Sequence, residues 1–248
     1  MSLLFIIAAA PAVALMCYIY KKDSVEKEPV GLLVKLVFFG ALSIIPAAIL
    51  EILAAKLLGF VLPEGNLVYF AIENFLGVAL IEEGFKYLAL KLGSWKHRAF
   101  NFRFDGVVYA VCTSLGFALV ENILYVFDGS AFTAFSRALT AVPAHAIFGV
   151  FMGIFYGKAK HYANFGDMKS AKKCLNKALW IPVLIHGFYD LCLSVGSVMA
   201  VLTFFILLVA MYIVAFNAVK KAAYEDIPIT GFWGYYGSAN NDDWDESR

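Results

Sequence analysis

Two adjacent carboxylates and a lysine, Glu82, Glu83 and Lys86, lie inside an otherwise almost wholly apolar stretch, residues 67–92. Each charged side chain near the middle of a bilayer costs roughly 2.5–3.5 kcal/mol on insertion scales, so such groups persist when paired, protonated or facing a polar cavity. On a helix, Lys86 is the i+4 neighbour of Glu82 and the i+3 neighbour of Glu83. Lys86 can therefore neutralise one carboxylate while the other stays available as a general base. A purely structural ion pair is the alternative.

Two further apolar stretches carry histidines at a comparable depth. His186 and Asp190 are i and i+4 on one helix face, so the carboxylate can fix one imidazole nitrogen and leave the other for substrate or water. His145 stands alone in its own stretch, and the preceding Pro143 is expected to kink or open that helix. Polar groups that are distant in sequence but matched in depth indicate one buried site.

Other polar residues of the apolar stretches have less specific interpretations. Glu121 and Asn122 lie towards one end of their stretch and Arg137 lies towards the corresponding end of the next, which favours pairing between them. Asp105 begins the apolar stretch 105–127, where the role of a helix N-cap suits it. We assign Glu121 and Asn122 to the site as supporting residues.

Composition places the chain in a membrane. Of its 248 residues, 62% are hydrophobic and 16% are charged, and the mean hydropathy is +0.76. A soluble domain carries about 25% charged residues. The net charge of +1 excludes nucleic-acid binding by bulk electrostatics. The four cysteines form no CxxC pair, so we expect neither a disulfide framework nor a structural zinc site.

Apolar runs of roughly 18–25 residues predict membrane-crossing helices. We predict an all-α, polytopic integral membrane protein of about seven transmembrane helices, although the short turn near Gly196 leaves six or eight open. Residues 1–221 would form one membrane domain, and residues 222–248 a disordered cytoplasmic tail. The predicted spans are residues 3–20, 31–53, 67–92, 105–127, 134–157, 178–196 and 198–219.

Basic residues set the predicted orientation. Most of the 20 Lys and Arg residues fall in the segments 21–30, 91–104, 158–177 and 220–248. Because cytoplasmic loops carry an excess of Lys and Arg, we predict an external N-terminus and a cytoplasmic C-terminus.

Missing motifs narrow the chemistry of the buried site. The sequence contains neither the HExxH pattern of zinc proteases nor a Ser-Gly dipeptide for a rhomboid-type serine protease. It contains Tyr189-Asp190, but not the GxGD partner motif of presenilin-type aspartyl proteases.

Six sequence blocks together resemble the PrsW family of bacterial intramembrane proteases. The blocks are Lys22-Asp23 with Glu28-Pro29; Glu82-Glu83-Gly84-Phe85-Lys86; Phe104-Asp105-Gly106-Val107-Val108-Tyr109; Ser114-Leu115-Gly116-Phe117-Ala118 with Glu121-Asn122-Ile123-Leu124-Tyr125; Pro143-Ala144-His145-Ala146-Ile147-Phe148-Gly149; and His186-Gly187-Phe188-Tyr189-Asp190. The chain is more distantly similar to prenyl-protein endopeptidases, whose motifs are EExxxR, FxxxH and HxxxN/D. It departs from them in having Lys86, one position nearer the glutamates than their Arg, and no Phe four residues before His145.

The resemblance implies a peptidase of the bacterial plasma membrane that makes the first, extracytoplasmic cut in a membrane-anchored substrate such as an anti-sigma factor. It implies catalysis by five residues: Glu82, Glu83, His145, His186 and Asp190. The motifs leave metal dependence open. We prefer water activation by a glutamate without a metal, because no familiar metal-ligand spacing occurs within one helix; a divalent metal such as zinc among Glu, His145 and His186 is the alternative.

Two other classes of function stay open at this stage. Buried Glu, Lys, His and Asp residues also suit a proton-coupled transporter, whose groups would follow a path rather than converge. A non-catalytic scaffold would leave these groups far apart. For a protease with an outward-facing cleft, we expect Glu121, Asn122 and Glu73 to line a polar vestibule.

Overall fold

The computed structural model describes residues 2–128 and 131–229, and these ranges confirm an all-helical protein without β-strands. Residues Phe102 and Pro228 form an isolated β-bridge. The helices are α1 (Ser2–Lys22), α2 (Val30–Val61), α3 (Leu67–Ile72), a π-helix (Glu73–Ala79), α4 (Leu80–Ser94), α5 (Asp105–Asp128), α6 (Ala131–Leu139), α7 (Ala141–Asn164), α8 (Met168–Val195) and α9 (Val198–Tyr224).

Within the described residues, five helical segments are long and apolar enough to cross a membrane, which indicates a multi-pass membrane protein. They are Val30–Val61, Asp105–Tyr125, Phe135–Asn164, Met168–Val195 and Val198–Tyr224. The predicted spans 3–20 and 67–92 are also helical, the second as α3, the π-helix and α4 in succession. The count of seven spans and the orientation stay predictions.

Several helix bounds differ from the predicted spans. Helix α2 continues to Val61, and α8 begins at Met168, ten residues before its predicted span. Hydropathy marks only the part of a helix in hydrocarbon, whereas local chemistry sets where the helix ends. Asp167, for example, caps α8 by accepting a hydrogen bond of 2.9 Å from Ser170 N.

The predicted span 134–157, which Pro143 is expected to kink or open, is interrupted three residues before Pro143. The helical run is interrupted at Thr140, between α6 and α7, and Pro143 lies in the first turn of α7. In a first turn, the missing amide hydrogen of proline removes no intrahelical hydrogen bond.

Helices α5 and α7 form the centre of the bundle, and α2 and α9 turn large apolar side chains outward. Glycines let the central backbones approach closely. A Cβ atom on Gly116 would lie 2.1 Å from Val37 O, and one on Gly157 would lie 2.0 Å from Arg103 O. Small residues at such crossings are typical of helix packing in membranes.

The segment after α9 folds back onto the bundle. Ile229 is fully buried, and its amide donates to Asn101 O at 2.6 Å. Asp226 Oδ1 accepts from Phe104 N at 2.8 Å. At the beginning of the predicted tail, Asp226 and Ile229 are therefore held against the bundle, whereas Tyr224 is 92% exposed and residues 230–248 lie outside the described part of the chain.

Asp105 lies in a buried acidic region rather than in an N-cap contact. Its Oδ2 atom accepts from Asn101 N at 2.9 Å and Phe102 N at 2.7 Å, both of which precede α5. Asp23 and Glu28, in the loop between α1 and α2, are buried in the same region. Burial raises the pKa of Asp23 to about 6 and that of Glu28 to about 7, because it disfavours the charged carboxylate.

The close approach of α2 and α5 leads to a packing prediction. We expect Gly116→Ala to lower the free energy of unfolding by about 1–3 kcal/mol, because the new methyl group collides with the backbone of Val37. Gly31→Ala is the matched control, since a Cβ there meets nothing within 4 Å. Thermal unfolding of the detergent-solubilised chain measures both. Equal midpoints for the two variants would contradict this account of the helix crossing.

Candidate active site

The helical turn before the glutamate pair is a π-helix, Glu73–Ala79. Asn74 Nδ2 donates to Phe70 O at 2.7 Å and to Ser194 Oγ on α8 at 3.0 Å. Gly187 allows close packing, since a Cβ there would lie 2.5 Å from the Phe75 ring. π-Helical turns interrupt the regular hydrogen-bond ladder and occur frequently at functional sites. Here the turn joins the glutamate-bearing segment to α8.

The ammonium of Lys86 lies at the centre of the buried polar cluster. Its Nζ atom is 2.8 Å from Glu82 Oε2, 2.8 Å from Glu83 Oε1 and 2.9 Å from His145 Nδ1. It also lies 4.2 Å from the centre of the Phe117 ring. Glu83 and Lys86 are fully buried. Lys86 therefore pairs with both glutamates rather than neutralising one and leaving the other without a partner.

His186 bridges two carboxylates. Its Nδ1 atom lies 3.0 Å from Glu83 Oε1, and its Nε2 atom lies 3.0 Å from Asp190 Oδ2. A doubly protonated imidazolium donates to both acceptors at once. The sequence interpretation left one nitrogen of His186 for substrate or water, whereas here both nitrogens are bound.

His145 connects the lysine to a second carboxylate. Because the Lys86 ammonium can only donate, Nδ1 of His145 must accept, and Nε2–H then donates to Glu121 Oε2 at 2.8 Å. Arg137 Nη2 lies 3.0 Å from Glu121 Oε1, and Arg137 Nε lies 3.1 Å from Asn122 Oδ1. Glu121 is thus both the partner of Arg137 and the group that orients the His145 ring.

A cavity of about 700 Å³ opens onto this cluster. Glu82 lines it with a slightly exposed side chain, whereas the neighbouring Glu83 is wholly buried and does not line it. Hydrophobic side chains form much of the remaining wall. The polar and charged lining includes Glu51, Asn74, Glu82, Glu121, His145, His186 and Asp190.

The structure brings together all five residues to which the resemblance gives catalysis, and it brings Lys86 and Glu121 with them. Asn122 is buried behind Arg137 and does not line the cavity, and Glu73 lies in a neighbouring depression. Glu51 on α2 lines the cavity although the sequence interpretation gave it no role. The sequence could have indicated Glu51, because it is a single carboxylate within a long apolar segment, and ionisable residues in such segments often mark functional sites.

The cluster contains side chains of the types that bind metals, but the Lys86 ammonium already lies among them. Oxygen and nitrogen atoms of Glu82, Glu83 and His145 lie within 4.8 Å of one another, and these ligand types suit zinc. The Lys86 ammonium contacts all three residues. A divalent metal bound between them would have to displace this like charge, so the three residues do not fit a metal in this arrangement.

Comparison of the sequence with known proteins identifies a family to which the chain is similar. Residues 28–217 match the family model described as the PrsW family intramembrane metalloprotease. The chain is 37% identical to Protease PrsW of Oceanobacillus iheyensis over 214 residues, which cover 86% of the chain and 93% of that protein. It is 36% identical to Protease PrsW of Bacillus subtilis over 191 residues, covering 76% and 81%. No solved structure is significantly similar to it.

The central position of Lys86 leads to a stability prediction. We expect Lys86→Met to lower the free energy of unfolding by about 3–5 kcal/mol, because it leaves buried carboxylates without their cation. Lys35→Met is the matched control, since Lys35 is exposed on α2. Thermal unfolding in detergent measures both. If the Lys86 variant kept the parental midpoint, the buried ion pairs would contribute nothing to stability.

Proposed function

The chain belongs to the PrsW family of intramembrane proteases and is therefore a membrane-embedded peptidase; from this premise we propose that it is a glutamate-dependent endopeptidase. Its substrate would be a membrane-anchored regulatory protein such as an anti-sigma factor, cut at a first site outside the cytoplasm. The main support for this mechanism is that Glu82, His145 and His186 line the same cavity.

Glu82 is the residue we assign as general base. It lines the cavity, and its Oε2 atom is held by Lys86 at 2.8 Å. Glu83 is fully buried, and its Oε1 atom already accepts from both Lys86 and His186. Access to water therefore favours Glu82 for proton abstraction, while Glu83 holds the lysine and the histidine in position.

In the proposed reaction, Glu82 takes a proton from a water molecule in the cavity as the water oxygen bonds to the carbonyl carbon of the substrate. The positive charge of the His186 imidazolium stabilises the resulting oxyanion, and His145 donates its Nε2–H to the oxyanion in exchange for its hydrogen bond to Glu121. The C–N bond then breaks, and the proton passes from Glu82 to the leaving nitrogen. Glu121 and Asp190 orient the two imidazoles.

No step of this reaction requires a metal, although the name of the family model includes one. The support is the position of the Lys86 ammonium between the three donors that a metal would use. Lys86 supplies a fixed positive charge that pairs with both glutamates.

The placement of the cavity supports a cut outside the cytoplasm. Its lining includes Glu51 from α2, Tyr125 from α5 and Ser194 from α8, all from the C-terminal halves of their helices. With the orientation predicted from basic residues, these ends face away from the cytoplasm. A substrate helix must unwind to bring a carbonyl carbon to the glutamate, since helical carbonyls are hydrogen-bonded.

A proton-coupled transporter is not favoured. Its ionisable groups would be spaced along a path across the membrane. Here Glu82, Glu83, Lys86, His145 and His186 contact one another in a single cluster.

The assignment of Glu82 as base predicts a separation of activity from stability. In proteoliposomes carrying the chain and a single-span anti-sigma factor, we expect Glu82→Gln to lower kcat about 10²–10⁴-fold. The thermal midpoint should change little, because the amide oxygen can still accept from Lys86, which also keeps Glu83. Glu64→Gln, on an exposed loop, is the matched control. Parental kcat in the Glu82 variant would overturn the assignment.

The metal-free mechanism predicts resistance to chelators. Cleavage in the same proteoliposomes should keep its parental rate after treatment with EDTA and 1,10-phenanthroline, since no step uses a bound metal. A loss of activity that zinc restores would instead show that a metal replaces the Lys86 ammonium in the working enzyme.

The proposed direction of the cavity predicts one-sided labelling. In a chain whose four native cysteines are replaced by alanine, Ser136→Cys in the cavity wall should react with a membrane-impermeant thiol reagent added outside intact cells. Lys169→Cys, at the exposed start of α8, is the control and should react only after the membrane is opened. The reverse pattern would show that the cavity opens to the cytoplasm.

A further inference from the structure

A second buried acidic cluster lies outside the cavity already described. One carboxylate oxygen each from Asp23, Glu28 and Asp105 lies within 4.8 Å of the other two. The exposed fractions of these residues are 1%, 2% and 0%. None of the three takes part in the proposed reaction, because none lines the cavity at Glu82.

Two of these carboxylates have buried oxygen atoms without a hydrogen-bond partner. Asp23 Oδ2 and Asp105 Oδ1 are inaccessible to solvent and accept no hydrogen bond from a described N–H or hydroxyl group, although the Asp105 and Glu28 carboxyl groups lie close enough to share a proton. Two neighbouring side chains, Asn101 and Asp226, have an unpartnered buried oxygen as well. Buried acceptors without donors are rare in proteins and call for an explanation such as an ion or ordered water.

Cationic side chains do not balance this cluster in the described part of the chain. None of the described Lys or Arg nitrogens makes an ion pair with Asp23, Glu28 or Asp105. The charge of Lys27 acts on the nearby Asp23 carboxylate, but its ammonium donates to backbone carbonyls, including Tyr20 O at 2.7 Å and Asp23 O. Several carboxylates buried together without a paired cation are expensive unless an ion or protons compensate them.

We propose that Asp23, Glu28 and Asp105 bind an oxygen-preferring divalent cation, calcium or magnesium. Both ions prefer carboxylate and carbonyl oxygens, and this cluster offers no sulfur or imidazole ligand. The surrounding contacts orient the ligands as an outer shell does in metal sites. Tyr109 donates to Glu28 Oε2, and two backbone amides hold Asp105 Oδ2.

The cation would join two elements that are distant in sequence. Asp23 and Glu28 belong to the loop between α1 and α2, and Asp105 is the first residue of α5. Asp226, next to the cluster in the fold, binds the amide of Phe104 and so connects the segment after α9 to the same place. The ion would therefore fasten the ends of several helices and stabilise the bundle rather than act on substrate.

The test uses the full chain, stripped of metal with EDTA and transferred to chelator-free detergent buffer. Calcium chloride or magnesium chloride alone is then added in separate titrations, followed by calorimetry and by thermal unfolding. We expect saturable binding of one ion and a rise of the thermal midpoint of roughly 2–4 °C. Tighter binding of calcium or of magnesium identifies which ion the site prefers.

Asp23→Asn should weaken the apparent affinity at least about tenfold, because it removes one ligand charge. It is the informative variant, since no described hydrogen bond reaches the Oδ2 atom of Asp23 and the amide preserves the shape. Glu26→Gln, an exposed acid of the same loop, is the matched control and should bind as the parent does. Glu83→Gln should also retain binding, which separates this cluster from the one around Lys86.

Three results would overturn the proposal. The first is no saturable binding of either ion to the parent chain, which would mean that protons compensate the acids. The second is unchanged binding by Asp23→Asn in a folded chain. The third is loss of binding in Glu83→Gln but not in Asp23→Asn, which would place the ion at the candidate active site. These readouts involve no peptidase assay and do not depend on the proposed reaction.

Discussion

The candidate active site depends on one buried ammonium. Lys86 touches both glutamates and His145, and each of those residues in turn binds a partner on another helix or lines the cavity. Taking an ammonium out of water is strongly unfavourable, so its partners must stay in place. This requirement ties α4 to α7 directly and, through Glu83 and His186, to α8. Lys86 thus fixes the relative positions of helices that are far apart in sequence.

Close helix packing makes this arrangement possible. Helix α5 crosses α2 and α7 at glycines, where backbones meet at distances that a side chain would prevent. Ser114 of α5 donates to His145 O at 2.7 Å, which joins the packed centre to the N-terminal part of α7. In hydrocarbon the hydrophobic effect does not drive helices together, so packing and hydrogen bonds between them carry the association. The rigid centre and the polar cluster therefore stabilise the same contacts.

The described residues include two groups of buried carboxylates, and the negative charge of each group is balanced in a different way. Around Glu82 and Glu83, the positive charge comes from the protein itself, through Lys86 and the bridging His186. Around Asp23 and Asp105, the described residues provide hydrogen bonds to some oxygen atoms, but no described lysine or arginine makes an ion pair with these acids. A charge supplied by the chain is permanent, whereas a charge supplied by an ion depends on its concentration. This contrast suits a catalytic group at the first cluster and a structural junction at the second.

The sequence by itself determined the helical membrane class and the residues of the central cluster. Length and hydropathy of the apolar runs are local properties, and a carboxylate pair in an apolar run is conspicuous wherever the helix packs. It also placed Lys86 beside both glutamates, because i+3 and i+4 spacing brings residues to one helix face. Only the tertiary structure decided what lies across from each residue. The contact of Glu121 with His145, the position of Glu51 on the cavity wall and the bridging of two carboxylates by His186 depend on how helices rotate and cross. The π-helix, the break at Thr140 and the contacts of Asp226 and Ile229 likewise follow from contacts between elements, which no periodicity within one segment records.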